Sequence, residues 1–194
     1  MKRSFDAIFV LGPQGSGKGT QAKMLAGKLG FFFWDTGAIL RKNADVVTSS
    51  GERAGDILKT GRLFTDEELL SVVEQELGSL PREKGIVFDG IPRRVGQAEF
   101  LLSLLESNGK AHFATVFLDI PKEESLKRLL FRAEKEGRSD DTRAAIERRL
   151  ADYESNTVPM LGMLRARTDF FTIDGRPSIG EVEKNVWQGL GIVA

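Results

Sequence analysis

The chain has 194 residues, of which 41% are hydrophobic and 29% charged, so it suits one globular domain with a small insertion or two. Its 28 basic residues equal its 28 acidic residues, which disfavours a nucleic-acid-binding protein because such proteins usually carry a basic excess. It has no cysteine and one histidine, which excludes disulfides, thiolate zinc sites and a histidine metal cluster.

Neither a membrane span nor a secretory leader is expected. No stretch approaches the roughly 18 consecutive apolar residues that cross a bilayer. The amino-terminal apolar run Phe5–Leu11 contains Asp6 and continues into glycines and Lys18 rather than into a cleavage site. We therefore expect a cytoplasmic protein that binds neither membrane nor nucleic acid.

Short apolar runs alternate with helical patterns, an order that predicts an α/β fold with a parallel sheet. The predicted strands are Phe5–Leu11, Phe31–Trp34, Ile86–Phe88, Ala114–Leu118 and Phe170–Ile173. The predicted helices are Gly17–Leu29, Gly37–Ser49, Thr65–Leu80, Val95–Ser107, Lys122–Glu136, Thr142–Arg165 and Ile179–Gly189. Two stretches interrupt the alternation, at about 36–65 and 133–141, and both are predicted to be insertions over one face of the sheet.

A glycine-rich segment, Gly12-Pro-Gln-Gly-Ser-Gly-Lys18-Gly-Thr20, joins the first strand to the first helix. In this context glycines let backbone N–H groups point into a concavity, and the helix N-terminus adds partial positive charge, so the segment favours phosphate binding. Lys18 is expected to reach the outer phosphates of a nucleotide. Gly19 follows it and has no hydroxyl, so we expect Mg²⁺ to be held mainly by phosphates and water.

The segment has the form Gly-x-Gly-Lys-Gly-Thr, and the chain resembles the adenylate kinase family there and at four further places in the same order. These places are Asp35-Thr-Gly-Ala-Ile-Leu-Arg41; Gly61-Arg-Leu-Phe-Thr-Asp-Glu67; Phe88-Asp-Gly-Ile-Pro-Arg93 followed by Gln97; and Arg128 and Arg132 followed by Arg138, Asp141 and Arg149. Asp35 and Ile91 stand where the family usually has Ser and Phe.

The resemblance implies a P-loop fold with a five-stranded parallel sheet in the order 2-3-1-4-5. It also implies a single kinase domain, residues 1–194, with its core at 1–35, 66–131 and 142–194. A monophosphate-binding insertion would span 36–65 and a short lid 132–141. Long-lid members are sometimes zinc-bound, whereas this chain has a short lid and no cysteine, so we expect no zinc.

The activity implied by the resemblance is the reversible transfer of the terminal phosphoryl group from ATP to AMP, giving two ADP. The residues it gives to ATP are Gly15, Ser16, Gly17, Lys18, Gly19, Thr20, Arg128, Arg132 and Arg176. The residues it gives to AMP are Thr36, Arg41, Arg62, Leu63, Phe64, Gly90, Ile91, Pro92, Arg93, Gln97, Arg138 and Arg149. The residues expected to act in catalysis are Lys18, Arg93, Arg132, Arg138 and Arg149. Arginine suits phosphate because its planar fork donates bidentate hydrogen bonds and stays charged.

Asp89 ends a short apolar strand, and we expect it to hold Mg²⁺ through water as the cofactor of ATP. Thr36 and Gln97 match the adenylate kinases, whereas the pyrimidine monophosphate kinases have alanine and asparagine at the comparable places. A glutamine amide both donates to and accepts from the adenine edge. A UMP/CMP-type kinase is the alternative, and a nucleotide-binding regulator without transferase activity is a second one. The expected partners are ATP, AMP and ADP, and the expected state is a monomer.

Overall fold

Five parallel strands form the centre of the molecule, in a computed structural model that describes residues 4–60, 64–81, 83–136 and 143–192. The strands are β1 (Ala7–Leu11), β2 (Phe32–Asp35), β3 (Ile86–Asp89), β4 (Phe113–Asp119) and β5 (Asp169–Asp174). The helices are α1 (Lys18–Leu29), α2 (Thr36–Lys42), α3 (Ala54–Thr60), α4 (Asp66–Gly78), α5 (Val95–Ser107), α6 (Lys122–Glu136), α7 (Arg143–Asp152), α8 (Val158–Arg167) and α9 (Ile179–Leu190). In the described part of the chain, no helix has the length and apolar character needed to cross a bilayer.

The sheet has the strand order β2-β3-β1-β4-β5, which confirms the expected fold. Every residue of the central strand β1 is buried, because helices cover both faces of the sheet. Alternate β1 residues enter different cores, as the two-residue period of a strand requires. Phe9 packs with Trp34 and Phe88 on one face, whereas Ile8 packs with Leu25 on the other.

The start of α4 lies where the sequence predicts it, because two groups cap each other there. The Glu68 backbone N–H donates to the Thr65 hydroxyl over 3.2 Å, and the Thr65 backbone N–H donates to the Glu68 carboxylate over 2.9 Å. This reciprocal capping box satisfies two N–H groups that have no intrahelical acceptor. It fixes the first turn of α4 beside the site described below.

The helix predicted over Gly37–Ser49 is wrong in its extent. The helix α2 ends at Lys42, an antiparallel bridge pairs Val47 with Arg53, and α3 begins only at Ala54. The sequence Val46-Val47-Thr48 explains the break, since consecutive β-branched side chains are stiff and fit extended backbone better than helix.

The single helix predicted over Thr142–Arg165 is also wrong, because a π-helical turn at Tyr153–Thr157 interrupts it between α7 and α8. Pro159 provides the reason. It has no N–H to donate to the Ser155 carbonyl four residues earlier, and its ring would clash with that carbonyl in a regular α-helix. Widening the preceding turn relieves the clash, and the helix then continues to Arg167.

Candidate active site

The phosphate loop between β1 and α1 depends on glycines at defined positions. Gly15 and Gly17 have φ values of 82° and 87°, a left-handed conformation that other residues rarely adopt. A Cβ on Gly12 would lie 2.5 Å from the Leu118 carbonyl oxygen, so a side chain cannot be accommodated there. The Ser16 hydroxyl is buried and has no hydrogen-bond partner in the described part of the chain. The loop therefore offers backbone and hydroxyl groups to an anion.

Lys18, the first residue of α1, folds back over this loop. Its ammonium donates to the Pro13 carbonyl oxygen over 3.4 Å. Desolvation lowers the pKa of Lys18 to about 8, the neighbouring Asp89 carboxylate opposes this effect, and the charges of Arg93 and Arg132 lower the pKa further. The structure thus brings four of the predicted site residues into one electrostatic environment.

Asp89, at the carboxyl end of β3, faces the phosphate loop. Its Oδ2 would lie only 2.9 Å from a Cβ on Gly19, so the missing side chain makes room for the carboxylate. Its Oδ1 is buried without a hydrogen-bond partner among the residues that the structure describes. Burial raises the pKa of Asp89, while Lys18 opposes the rise. A buried carboxylate oxygen that lacks a donor fits the outer shell of a cation bound to nearby phosphates.

The turn after β3 is tied to the start of α2. The Thr36 hydroxyl donates to the Asp89 carbonyl oxygen over 2.8 Å, and a Cβ on Gly90 would lie 3.2 Å from that hydroxyl. Gly90 has a φ of 86°, so its backbone conformation also favours glycine. The Arg93 Nε donates to the Gly90 carbonyl oxygen over 2.9 Å, which turns the guanidinium back toward the sheet edge. Ile91 is fully buried beneath this turn.

Two cavities meet at this turn. The larger, of about 310 Å³, extends from Thr36 past Phe64 to Gln97. The smaller, of about 140 Å³, lies between Lys18 and Pro92 in the phosphate loop region. Residues that line both cavities are Gln14, Gly90, Arg93, Tyr153 and Thr157. A group bound in the larger cavity would therefore face the phosphate loop across Arg93.

Gln97 lies at the far wall of the larger cavity and is only 5% exposed. Its amide oxygen accepts from the Arg93 backbone N–H over 2.9 Å, and its amide nitrogen donates to Asp66 Oδ1 over 2.6 Å. The Arg41 guanidinium lies over the first turn of α2, where its Nη1 would be 3.2 Å from a Cβ on Gly37. Arg41 is therefore close to Gly37, which lines the larger cavity, but it is not itself among the residues that line either cavity.

The α6 arginine Arg128 connects the phosphate loop region to the loop after β5. Its guanidinium donates to the carbonyl oxygens of Gly175 and Arg176, each over 2.9 Å, and to the Glu124 carboxylate over 2.6 Å. The Ser125 hydroxyl, in the same helix, donates to the Gln14 carbonyl oxygen. The Arg176 guanidinium itself is paired with Asp174, with 2.8 Å between Nη2 and Oδ2.

Four predicted site residues cannot be compared in full with the structure. Arg62, Leu63 and Arg138 lie outside the described residues. Arg149 lies in α7, and its side chain is also outside the described part of the structure. Among the described residues predicted for AMP, the larger cavity is lined by Thr36, Phe64, Gly90, Arg93 and Gln97, whereas Arg41, Ile91 and Pro92 do not line it.

Sequence reasoning missed the π-helical turn as part of the site. Tyr153 and Thr157, one π-helical turn apart, line both cavities, and the Thr157 hydroxyl donates to the Arg93 carbonyl oxygen over 3.1 Å. Burial raises the pKa of Tyr153, and the Asp119 carboxylate raises it further, so the phenol stays protonated. Pro159 was the available signal, since π-bulges often occur at functional sites and a proline inside a helix marks irregular backbone.

Sequence comparison with known proteins indicates one family. The sequence model of the adenylate kinase family matches residues 10–169. Adenylate kinase from Thermus thermophilus is 40% identical, over 96% of this chain and 97% of its own length. The adenylate kinase of Xanthomonas campestris is 38% identical over 95% of this chain and 98% of its own length, and that of Stenotrophomonas maltophilia is 36% identical over 92% and 96%. This chain belongs to the adenylate kinase family.

Proposed function

We propose that this chain is a phosphotransferase that reversibly transfers the terminal phosphoryl group of ATP to AMP and gives two ADP. The observation that carries the proposal is the meeting of the two cavities at Arg93, beside the phosphate loop. The transfer between two nucleotides requires both phosphate chains to meet in line, and positioning supplies most of the catalysis. Two adjoining cavities that share Arg93 meet that requirement.

In this proposal, the phosphates of ATP bind the loop at Gly15–Thr20, and Lys18 contacts their outer oxygens. Arg128 and Arg176 border the adenine of ATP, since the Arg128 guanidinium already binds the backbone of the loop after β5. Arg132 contributes to the charge around Lys18 and so lies within electrostatic reach of the transferring group. By the family resemblance, we also assign Arg138 and Arg149 to that group.

AMP occupies the larger cavity in this proposal. Its phosphate faces Arg93, while its base lies between Phe64 and Gln97. By the family resemblance, we also assign Arg41 to the phosphate. Residues 36–65 form the monophosphate-binding insertion and residues 132–141 the short lid, within one kinase domain. We further propose a cytoplasmic monomer whose partners are these nucleotides alone.

Mg²⁺ is the metal that we propose for this site, where it would neutralise phosphate charge during the transfer. We expect activity to disappear with EDTA and to return with Mg²⁺, since Gly19 provides no hydroxyl and Asp89 Oδ1 is the buried oxygen that fits the ion's water shell.

Asp89→Asn, which keeps the shape of the side chain and removes its charge, should raise the Mg²⁺ concentration needed for half-maximal activity by about tenfold or more. Activity that survives EDTA, or stoichiometric zinc in the purified protein by metal analysis, would contradict this assignment.

Turnover of different monophosphates with ATP tests the proposed function directly. We expect a higher kcat/KM for AMP than for CMP, UMP or GMP, because the Gln97 amide can donate to and accept from adenine. Gln97→Leu should lower the preference for AMP by about tenfold, the scale of a lost hydrogen bond or two, and leave the KM for ATP unchanged. Gln188→Leu is the matched control, because Gln188 is exposed on α9, away from both cavities.

The same assay decides between the proposal and its alternatives. Turnover of CMP or UMP as efficient as that of AMP would favour a UMP/CMP-type kinase. Binding of ATP and AMP without any phosphoryl transfer would favour the non-catalytic regulator. The glutamine at position 97 favours an adenylate kinase over a UMP/CMP-type kinase. The charges of Lys18 and Asp89 beside each other favour a transferase over the non-catalytic regulator.

A further inference from the structure

The hydrogen bonds around Gln97 define which way its amide faces. The Arg93 backbone N–H can only donate, and it meets the amide oxygen at 2.9 Å. An ionised Asp66 carboxylate can only accept, and it meets the amide nitrogen at 2.6 Å. Rotation of the amide by 180° would place its oxygen against the carboxylate and its N–H₂ group against the backbone N–H. One orientation is therefore strongly favoured.

Asp66 is itself held in place from two directions. It is the first residue of α4, directly after the Thr65 cap, so the helix start determines its backbone position. Arg94 Nη1 donates to the same Oδ1 over 3.0 Å and forms an ion pair with it. Asp66, Arg94 and Gln97 all line the larger cavity. The carboxylate is thus a fixed acceptor at the wall of the cavity rather than a mobile surface charge.

After these bonds are made, the Gln97 amide keeps one N–H donor on its nitrogen and one lone pair on its oxygen. Adenine offers an acceptor, N1, beside a donor, the 6-amino group, so its edge matches the remaining pair. Hypoxanthine and guanine offer a donor, N1–H, beside an acceptor, O6, so their edges meet groups of the same kind. A site whose buried polar groups are left unpaired discriminates strongly against such an analogue.

We propose that Asp66 is a positioning residue that sets the base specificity of this enzyme: it holds the Gln97 amide in the orientation that accepts 6-aminopurine and rejects 6-oxopurine monophosphates. This inference rests on the proposed function, in which AMP occupies the larger cavity. Asp66 does not need to touch the nucleotide to act in this way, because it works through the amide that does.

Asp66→Ala tests the proposal, because it removes the carboxylate oxygen that accepts from the Gln97 amide nitrogen, whereas in an asparagine variant Arg94 would keep the amide oxygen in the same place. Inosine monophosphate is the probe, since it has the 6-oxo edge without the 2-amino group of GMP. We expect the ratio of kcat/KM for AMP to that for inosine monophosphate to fall at least about tenfold, equivalent to about 1.4 kcal/mol. The turnover of inosine monophosphate should rise, and the KM for ATP should not change.

The matched control is Glu67→Gln, which removes the same charge from the same turn of α4. Glu67 is exposed and has no described contact with Gln97, so the ratio should stay at the wild-type value. An equal fall of the ratio in both variants would assign the effect to the helix charge and overturn the proposal. An unchanged ratio in a normally melting Asp66→Ala protein would overturn it as well.

A measurement on the unaltered protein decides the proposal if Asp66→Ala folds poorly. NMR should detect a scalar coupling across the hydrogen bond between the Arg93 backbone nitrogen and the side-chain carbonyl carbon of Gln97. If that coupling is absent while couplings across comparable hydrogen bonds are detected, the Gln97 amide has the opposite orientation. That result would refute the proposed role of Asp66. The proposed function is judged separately, by wild-type preference for AMP over CMP and UMP and by Gln97→Leu, so the two failures are distinguishable.

Discussion

Lys18→Ala is expected to lower kcat/KM by at least about a thousandfold, the scale on which cationic groups at a transferring phosphoryl group act. The physical reason lies in the position of the ammonium, which folds over the phosphate loop and is partly buried. In such an environment a charge interacts with phosphate more strongly than in water. A coupled assay of ATP and AMP turnover measures the loss, and Lys23→Ala, exposed on the same helix α1, should stay near wild type.

The same substitution should not destabilise the fold. Because desolvation lowers the pKa of Lys18 to about 8 from an ordinary value of 10.5, the folded state disfavours the charged form. Between these two pH values, the unfolded chain retains a proton that the folded chain has lost. Wild-type stability should therefore rise with pH across this window relative to Lys18→Ala. A variant that loses activity only because it melts below the assay temperature would contradict the assigned role.

The parts of the fold that were predicted correctly depend on local sequence. Buried strands of a parallel sheet are apolar runs, and the phosphate loop has glycines where the backbone must be left-handed, as at Gly15 and Gly17. Thr65 and Glu68 lie three residues apart, so their mutual capping is visible in the sequence. The strand order was expected from the family resemblance, since apolar runs alone do not determine which strands are neighbours.

The hydrogen bonds that fix the walls of the site join residues that are distant in sequence, which is why these pairings were not predicted although several of the wall residues were. Thr157 and Arg93 are 64 residues apart in sequence, and Gln97 and Asp66 are 31 apart. Nothing in the local sequence of either partner indicates the other, because only the packing of helices around the sheet brings them together. The position of Tyr153 in the site was not predicted either, because the sequence predicted a straight helix there and a straight helix does not indicate which residue faces the cavities.

The functional assignment of individual arginines depends both on their spacing in the sequence and on where the folded chain places their side chains. Arg143 belongs to the same basic stretch of sequence as the predicted site arginines, but it lies off the spacing that the family resemblance matches, so the sequence predicts an exposed helix residue. In the structure Arg143 is exposed on α7 and pairs with Glu147, 3.0 Å away on its own helix. Arg93, in contrast, lies at the turn after β3 and borders both cavities. A pair of alanine substitutions therefore separates an arginine placed for chemistry from one on a solvated helix face.

Arg93→Ala is expected to lower kcat/KM by at least about a thousandfold, because one arginine at the transferring group contributes about 10³–10⁵ in rate, or roughly 4–7 kcal/mol. The Gly90 carbonyl holds its Nε, and the rest of the guanidinium faces the junction of the cavities, within electrostatic reach of Lys18. Arg93→Lys should recover only part of the loss, since lysine keeps the charge but not the planar fork. Arg143→Ala should lose less than about tenfold, because exposed ion pairs contribute about 0–1 kcal/mol. Equal losses in Arg93→Ala and Arg143→Ala, with unchanged melting temperatures, would show that Arg93 does not act on the transferring group.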